Sequence, residues 1–180
     1  MNRKARWLAA LSGRTVDGSV EATWPELAAY AWQRGGASRV RGLLISPRLG
    51  ACVGRLFVGR RARVLFPGRL RVGRGVQIGD YAYISAFGTD GIELGDNVSL
   101  REYAWVQVTS QLADPGKGLR IGAGTYFGPR AVLGAGGGIT IGRNVLAGAG
   151  VQLLAEDHVV EGVAAISEQG VTRRGIEVGD

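Results

Sequence analysis

In 180 residues the chain has one cysteine, one methionine and one histidine. A single cysteine, Cys52, excludes an internal disulfide framework. Its neighbours Ala51 and Val53 are apolar, so a buried, inert thiol is expected there. A lone histidine, His158, excludes a zinc site that needs several imidazoles, and cysteine-based metal sites are absent too. No metal is therefore expected. No apolar run approaches the roughly 18 residues of a membrane span. The basic start at Met1 is followed by an apolar stretch that ends at Ser12-Gly13-Arg14, too soon for a signal peptide. The expectation is an amphipathic arm on a cytoplasmic protein. Neither a P-loop nor a dinucleotide-binding glycine fingerprint occurs.

Acidic residues are the other shortage. There are 15 against 22 Lys and Arg, for a net charge of +7. The deficit is concentrated: from Leu27 to Gly79 there is no acid, and Arg39, Arg41, Arg55, Arg60, Arg61, Arg63 and Arg74 are among the arginines. Such a stretch is either a solvated face or an attractor for anions, which here means anionic lipid headgroups or a diphosphate-linked glycan precursor. No RNA-binding signature accompanies the arginines, so nucleic acid is not expected.

What is abundant is glycine, at 31 residues, without the three-residue period of collagen. A hydrophobic fraction of 46% supports a real core, and the length fits one domain with a small appendage. Residues 1–55 form a helical, basic N-terminal region. Thr23-Trp24-Pro25-Glu26 has the form of a capping box, with Thr23 as N-cap and Glu26 reaching back. Leu27, Tyr30 and Ala31 then share a helical face, and Gly35-Gly36 is expected to stop the helix. Arg39 to Leu49 reads as a second short helix or as an entry strand.

From Leu56 to Asp180 the pattern is a repeat. The tetrapeptide apolar-x-apolar-Gly starts at Leu70, Ile92, Leu119, Ile139 and Ile176. After each complete copy, apolar residues recur every six positions: Val72, Ile78, Ile84; Leu94, Leu100, Val106; Ile121, Phe127, Leu133; Ile141, Ala147, Leu153. Four positions beyond each lies a small or apolar residue, as at Val76, Ala82, Val98, Ala104, Ser110, Thr125, Ala131 and Gly137. Neither a helix nor a hairpin has this period. It predicts a triangular coil of three short strands per turn, stabilised by stacking coil on coil, with Gly and Asn/Asp at the bends. One insertion is expected at residues 112–118 and a larger one at 154–175.

The hexapeptide pattern resembles the left-handed parallel β-helix acyltransferases, which include maltose and galactoside O-acetyltransferases and the O-acetyltransferases of bacterial surface polysaccharides. The stretch Ala155-Glu156-Asp157-His158, followed by residues 166–176, is similar to the histidine-bearing loop of the polysaccharide branch. The resemblance implies an all-β, left-handed parallel β-helix with a short α-helical N-terminal region. It implies acetyl transfer from acetyl-CoA to a saccharide hydroxyl, in surface polysaccharide or glycan biosynthesis. It also implies a homotrimer that holds CoA between subunits; the Arg-rich stretch adds the expectation that a cytoplasmic chain sits peripherally at the inner membrane face. His158 takes the place of the family's general base; beside it, either Asp157 or Glu156 orients the imidazole, or Asp157 instead satisfies a bend. The family's further coils beyond the point where this chain ends imply that the chain is a fragment. The alternative is a non-catalytic trimeric β-helix that serves as a scaffold or binding module.

Counting outward positions coil by coil puts Thr89, Gln111, Gly138 and His158 in one column. Gly138 would then leave room for a ligand beneath the histidine. A second column holds Tyr83, Trp105, Val132 and Gln152, whose aromatics either stack on a sugar or fill a subunit interface. Gln111, Gly138 and Trp105 are the candidate substrate-binding residues.

Overall fold

The computed structural model describes residues 3–12 and 20–180. The expected N-terminal arm is helical as α1 (Arg3–Ser12), while Met1 and the expected end at Gly13-Arg14 lie outside the described residues. α2 (Trp24–Ala31) begins on the capping box. The Glu26 N–H donates to Thr23 Oγ1 at 3.4 Å, and the Thr23 N–H donates to Glu26 Oε2 at 2.7 Å. Leu27 is buried, but Tyr30 is exposed.

Gly35-Gly36 does not stop the helix. The backbone widens into a π-helical turn (Trp32–Gly36) and resumes as α3 (Ala37–Ile45), followed by a 3₁₀ turn (Ser46–Arg48). The Trp32 ring lies directly over Gly36, where any Cβ would collide with it. The glycine admits the ring rather than terminating the helix. Arg39 to Arg48 is therefore helical, Leu49 is the extended residue that ends it, and no strand enters there.

The rest is a parallel β-helix. One sheet contains β1 (Ala51–Cys52), β4 (Leu70–Val72), β7 (Gly88–Leu94), β10 (Gly116–Ile121), β13 (Ile139–Ile141) and β18 (Ile176–Val178). A second contains β2 (Leu56–Val58), β5 (Val76–Ile78), β8 (Ser99–Leu100), β11 (Tyr126–Phe127) and β14 (Leu146–Ala147). The third contains β3 (Arg63–Leu65), β6 (Tyr83–Ser85), β9 (Trp105–Gln107), β12 (Val132–Gly134) and β15 (Gln152–Leu154). The chain visits the three sheets in turn, and every pairing within them is parallel. All five apolar-x-apolar-Gly copies fall in the first sheet, in the register Leu70, Ile92, Leu119, Ile139, Ile176. β1 pairs with β4, so the coil begins at Ala51, ahead of Leu56.

The period of six is the core. Val72, Ile78, Ile84, Leu94, Leu100, Val106, Ile121, Phe127 and Leu133 are buried, each contributing roughly 1.5–3 kcal/mol. In the fourth run Ile141 is buried, whereas Ala147 and Leu153 are half-buried. Thr125 stands where Val76 and Val98 stand in the coils before it. Its buried hydroxyl donates to the Gly142 carbonyl at 2.9 Å and accepts from the Val145 N–H at 3.2 Å. Burying the hydroxyl therefore leaves no orphaned polar group.

Bends repeat as well. Gly75, Asn97, Gly124 and Asn144 occupy successive levels of one corner, all with φ between 57° and 75°. A Cβ on Gly75 would come 2.5 Å from Asn97 Oδ1, so a residue with a side chain alternates with one without. Aspartates knit neighbouring levels: Asp80, Asp96 and Asp180 accept the backbone N–H of Arg60, Arg74 and Arg143 at 2.6, 2.7 and 2.7 Å.

The insertions differ from expectation in extent. Ser110, counted as inward, is exposed, because the chain leaves the coil after Val108. The irregular part is 108–115. Gly116 and Gly118 already belong to β10, where they pair with Gly88 and Gly91 of β7. The larger insertion leaves after Ala155 as a hairpin. β16 (Glu156–His158) pairs antiparallel with β17 (Val171–Arg173), and the chain rejoins the first sheet at β18.

Candidate functional site

The third sheet changes character at β12. Where β9 presents Gln107, β12 presents Gly134, and two residues on the chain presents Gly136. The missing side chains leave a shallow groove of about 160 Å³, lined by Trp105, Gln107, Thr109, Gly134, Leu154 and Glu156. A side chain would crowd Gly136 more than Gly134, whose neighbour is the tip of the exposed Leu154. A Cβ on Gly134 would come 2.9 Å from Leu154 Cδ2, and one on Gly136 would collide with the Glu156 carboxylate.

Two insertions wall this groove, and Arg173 joins them. Its Nη1 and Nη2 donate to Asp114 Oδ1 and Oδ2, each at 2.8 Å, and its Nε donates to Glu156 Oε2 at 2.8 Å. Asp114 belongs to the 108–115 loop. Glu156 sits directly across the hairpin from Arg173. The hydrogen bonds it donates to Asp114 first, then to Glu156, push the Arg173 guanidinium above its ordinary range, so it stays charged at any working pH. At the base of the loop, the Thr109 hydroxyl donates to the Asp114 carbonyl at 3.3 Å.

His158 lies on the same strand as Glu156. Strand alternation puts the two on one face, about 7 Å apart along the chain. His158 is exposed, and its ring has no hydrogen-bond partner among the described residues. The Asp157 carboxylate does not reach the ring. It accepts the backbone N–H of His158 at 2.9 Å, so it fixes the strand rather than the imidazole. Thr172, opposite Asp157, donates its hydroxyl to the Asp157 carbonyl at 3.3 Å.

The far end of the hairpin is held by Gln169. Its Oε1 accepts the Glu161 N–H at 2.6 Å, and its Nε2 donates to the Ala164 carbonyl at 2.6 Å. These contacts give Gln169 a loop-folding role.

The expected column of Thr89, Gln111, Gly138 and His158 does not form. The Thr89 hydroxyl donates to the Lys117 carbonyl at 3.2 Å, so Lys117, not Gln111, lies above it. Gln111 is exposed on the loop, where its backbone N–H donates to Thr109 Oγ1 at 3.1 Å. Gly138 lies beneath Gly175, because the Ile176 N–H donates to the Gly138 carbonyl at 3.0 Å. It opens instead on a second groove of about 260 Å³ on the first sheet, with Asp90, Lys117, Thr140 and Glu177. The histidine is displaced because the chain leaves the coil before the level at which it was counted.

The second column is real. Tyr83, Trp105, Val132 and Gln152 are in register. The Tyr83 and Trp105 rings are stacked at 6.3 Å and 14°. Of the candidate substrate-binding residues, Trp105 alone lines the groove beside the hairpin. Sequence reasoning missed Arg173 and Asp114 altogether.

Cys52 is half-buried rather than buried. It packs in the first coil, at the opposite end of the β-helix from the hairpin, and its Sγ donates to the Gly54 carbonyl at 3.5 Å. Among the described residues no three His, Cys, Asp or Glu side chains group so as to hold a metal ion. The arrangement thus sets an exposed imidazole two residues along β16 from Glu156, which itself lines a groove with an indole, an amide and a hydroxyl. No protein-family model matches this sequence, and no curated protein matches it.

Proposed function

We propose that this chain is a left-handed β-helix O-acetyltransferase that moves an acetyl group from acetyl-CoA to a saccharide hydroxyl. The observation that carries the proposal is the exposed His158 imidazole, on a hairpin that leaves the coil beside the Trp105 groove. The left-handed sense follows from the resemblance of the hexapeptide repeat to that acyltransferase family.

In the reaction, the imidazole accepts the proton of the acceptor hydroxyl as its oxygen bonds to the thioester carbonyl carbon. The carbon–sulfur bond breaks, and the departing CoA thiolate takes the proton from the imidazolium. No covalent enzyme intermediate is required, in keeping with the distance of Cys52 from the hairpin. Trp105, Gln107 and Thr109 would meet the saccharide. A groove of about 160 Å³ is too small for whole CoA, since sites for drug-sized ligands run from about 300 Å³ upward. The donor therefore needs a second wall, which a neighbouring copy in a homotrimer would supply.

A second reading, a non-catalytic trimeric scaffold or binding module, draws on one observation. No group among the described residues orients the His158 ring. The two separate in one experiment: the chain is incubated with acetyl-CoA and a panel of oligosaccharides, and the glycans are examined for acetyl esters. Ester formation with stoichiometric CoA release supports the enzyme. Failure to form ester, together with failure to bind CoA, rules it out in favour of the scaffold.

A further inference from the structure

The α3 helix is amphipathic the wrong way round. The face it turns to the β-helix is small: Ser38 and Gly42 are buried, and a Cβ on Gly42 would collide with the Leu56 carbonyl. Arg41 also turns inward, donating from Nε to the Val58 carbonyl at 2.7 Å. The opposite face carries the large apolar side chains. Val40, Leu43 and Leu44, at i, i+3 and i+4, are 50%, 53% and 70% exposed. Trp32, lying over Gly36 one turn before Val40, extends this stripe and is 64% exposed. A surface helix ordinarily presents polar residues to water. Isolated exposed apolar residues need no explanation, but a contiguous stripe along one helix face does.

The surroundings are cationic. No acidic residue occurs between Leu27 and Gly79. Arg39 flanks the stripe one turn before Leu43, and Arg48 follows one turn after Leu44. Arg55 lies beside the exposed Val53 at the adjoining end of the coil. None of these three arginines has an ion-pair partner among the described residues. By contrast, Arg74 is spent on Asp96 and Arg69 on the Gly88 carbonyl. Among the described residues no helix is long and apolar enough to cross a membrane.

We infer that the outward face of α3, with Trp32 of the π turn, docks on an anionic lipid bilayer. Its apolar side chains enter the interface, and Arg39, Arg48 and Arg55 meet the headgroups. An apolar stripe edged by unpaired cations suits this surface, because the two attractions act together there. Neither suffices alone: arginine content by itself describes a solvated face equally well. A second copy docked through the same face would bring like charges together around the stripe, so charge complementarity favours the bilayer. This holds whether or not the chain transfers acetyl groups.

The test is co-sedimentation of the full chain with vesicles of phosphatidylglycerol mixed with phosphatidylcholine, and with phosphatidylcholine alone. Binding to the anionic vesicles, weakened by salt, is expected, with a blue shift of tryptophan emission that Trp32→Ala removes. Arg39→Gln and Arg48→Gln should each weaken partitioning roughly fivefold. The pair Leu43→Gln and Leu44→Gln should abolish detectable binding with an unchanged far-ultraviolet circular dichroism spectrum, since both side chains face solvent. Three outcomes overturn the inference: no binding to anionic vesicles, equal binding to neutral ones, or a face occupied by a second copy. The last would show as a change in sedimentation mass, without lipid binding, in the leucine variants.

Discussion

Arg173 sets both terminal guanidinium nitrogens on the carboxylate of Asp114, each at 2.8 Å, across 59 residues of chain. Among the described residues, this paired contact ties together the two insertions that wall the Trp105 groove. It orders the hairpin that carries His158, through Glu156 on the neighbouring strand. A planar fork on a carboxylate is specific in a way a lysine cannot reproduce.

Breaking this tie should loosen the hairpin before it unfolds the coil. Because Asp114 is about half exposed, the pair is screened, and a coupling near 1 kcal/mol is expected. A double-mutant cycle on Arg173→Ala and Asp114→Ala, read by urea unfolding, measures it. Limited proteolysis of the single variants should cut within 159–170 faster than in the native chain. Strict additivity in the cycle, with unchanged cleavage, would show that the contact organises nothing.

The seat of α3 makes a second prediction. Gly42 lets the helix backbone press against Leu56, and any side chain there has to displace main chain rather than a flexible tip. Gly42→Val should cost about 2–3 kcal/mol, well beyond its effect on helix propensity. An exposed control such as Leu44→Ala should change stability by less than about 1 kcal/mol. Thermal unfolding of the two variants decides. Equal effects would mean that the helix is not seated on β2.

Much of this fold was legible because its logic is local and repeated. Val72, Ile78 and Ile84 announce an inward phase that Leu94, Leu100 and Val106 repeat, and the register of β4, β7, β10, β13 and β18 follows from the same tetrapeptide. The phase is informative only while the chain stays in the coil. Counting through Val108 mislocated Ser110, and counting through Ala155 put His158 above Gly138 when Gly175 lies there. The Arg173–Asp114 pair left no signal, since nothing in a period of six specifies which loop residues meet across two insertions. Gly36 misled for a different reason. A glycine after an apolar helical stretch ordinarily marks an end, but here it admits the Trp32 ring.

Acid should weaken the fold in a predictable direction. The backbone N–H of Arg74, and then its side chain, hold the Asp96 carboxyl below its ordinary range; Thr23 does the same for Glu26. Both folded-state values are depressed. The stability they contribute is therefore present above the unfolded values, near pH 4, and is lost as pH falls through the folded ones. Asp96→Asn should lower Tm at pH 7 and narrow the gap between Tm at pH 7 and pH 3. Thermal scans at the two pH values check this, and a gap as wide as in the native chain would remove Asp96 from the acid response.

The proposed chemistry rests on His158 as proton acceptor. The most direct measurement is saccharide-dependent release of CoA thiol from acetyl-CoA by the native chain and by His158→Ala, at equal protein and saturating donor. A fall of about 10²- to 10⁴-fold in the rate, with acetyl-CoA binding retained, is the predicted result. Acceptor-dependent release that continues undiminished in His158→Ala would contradict it.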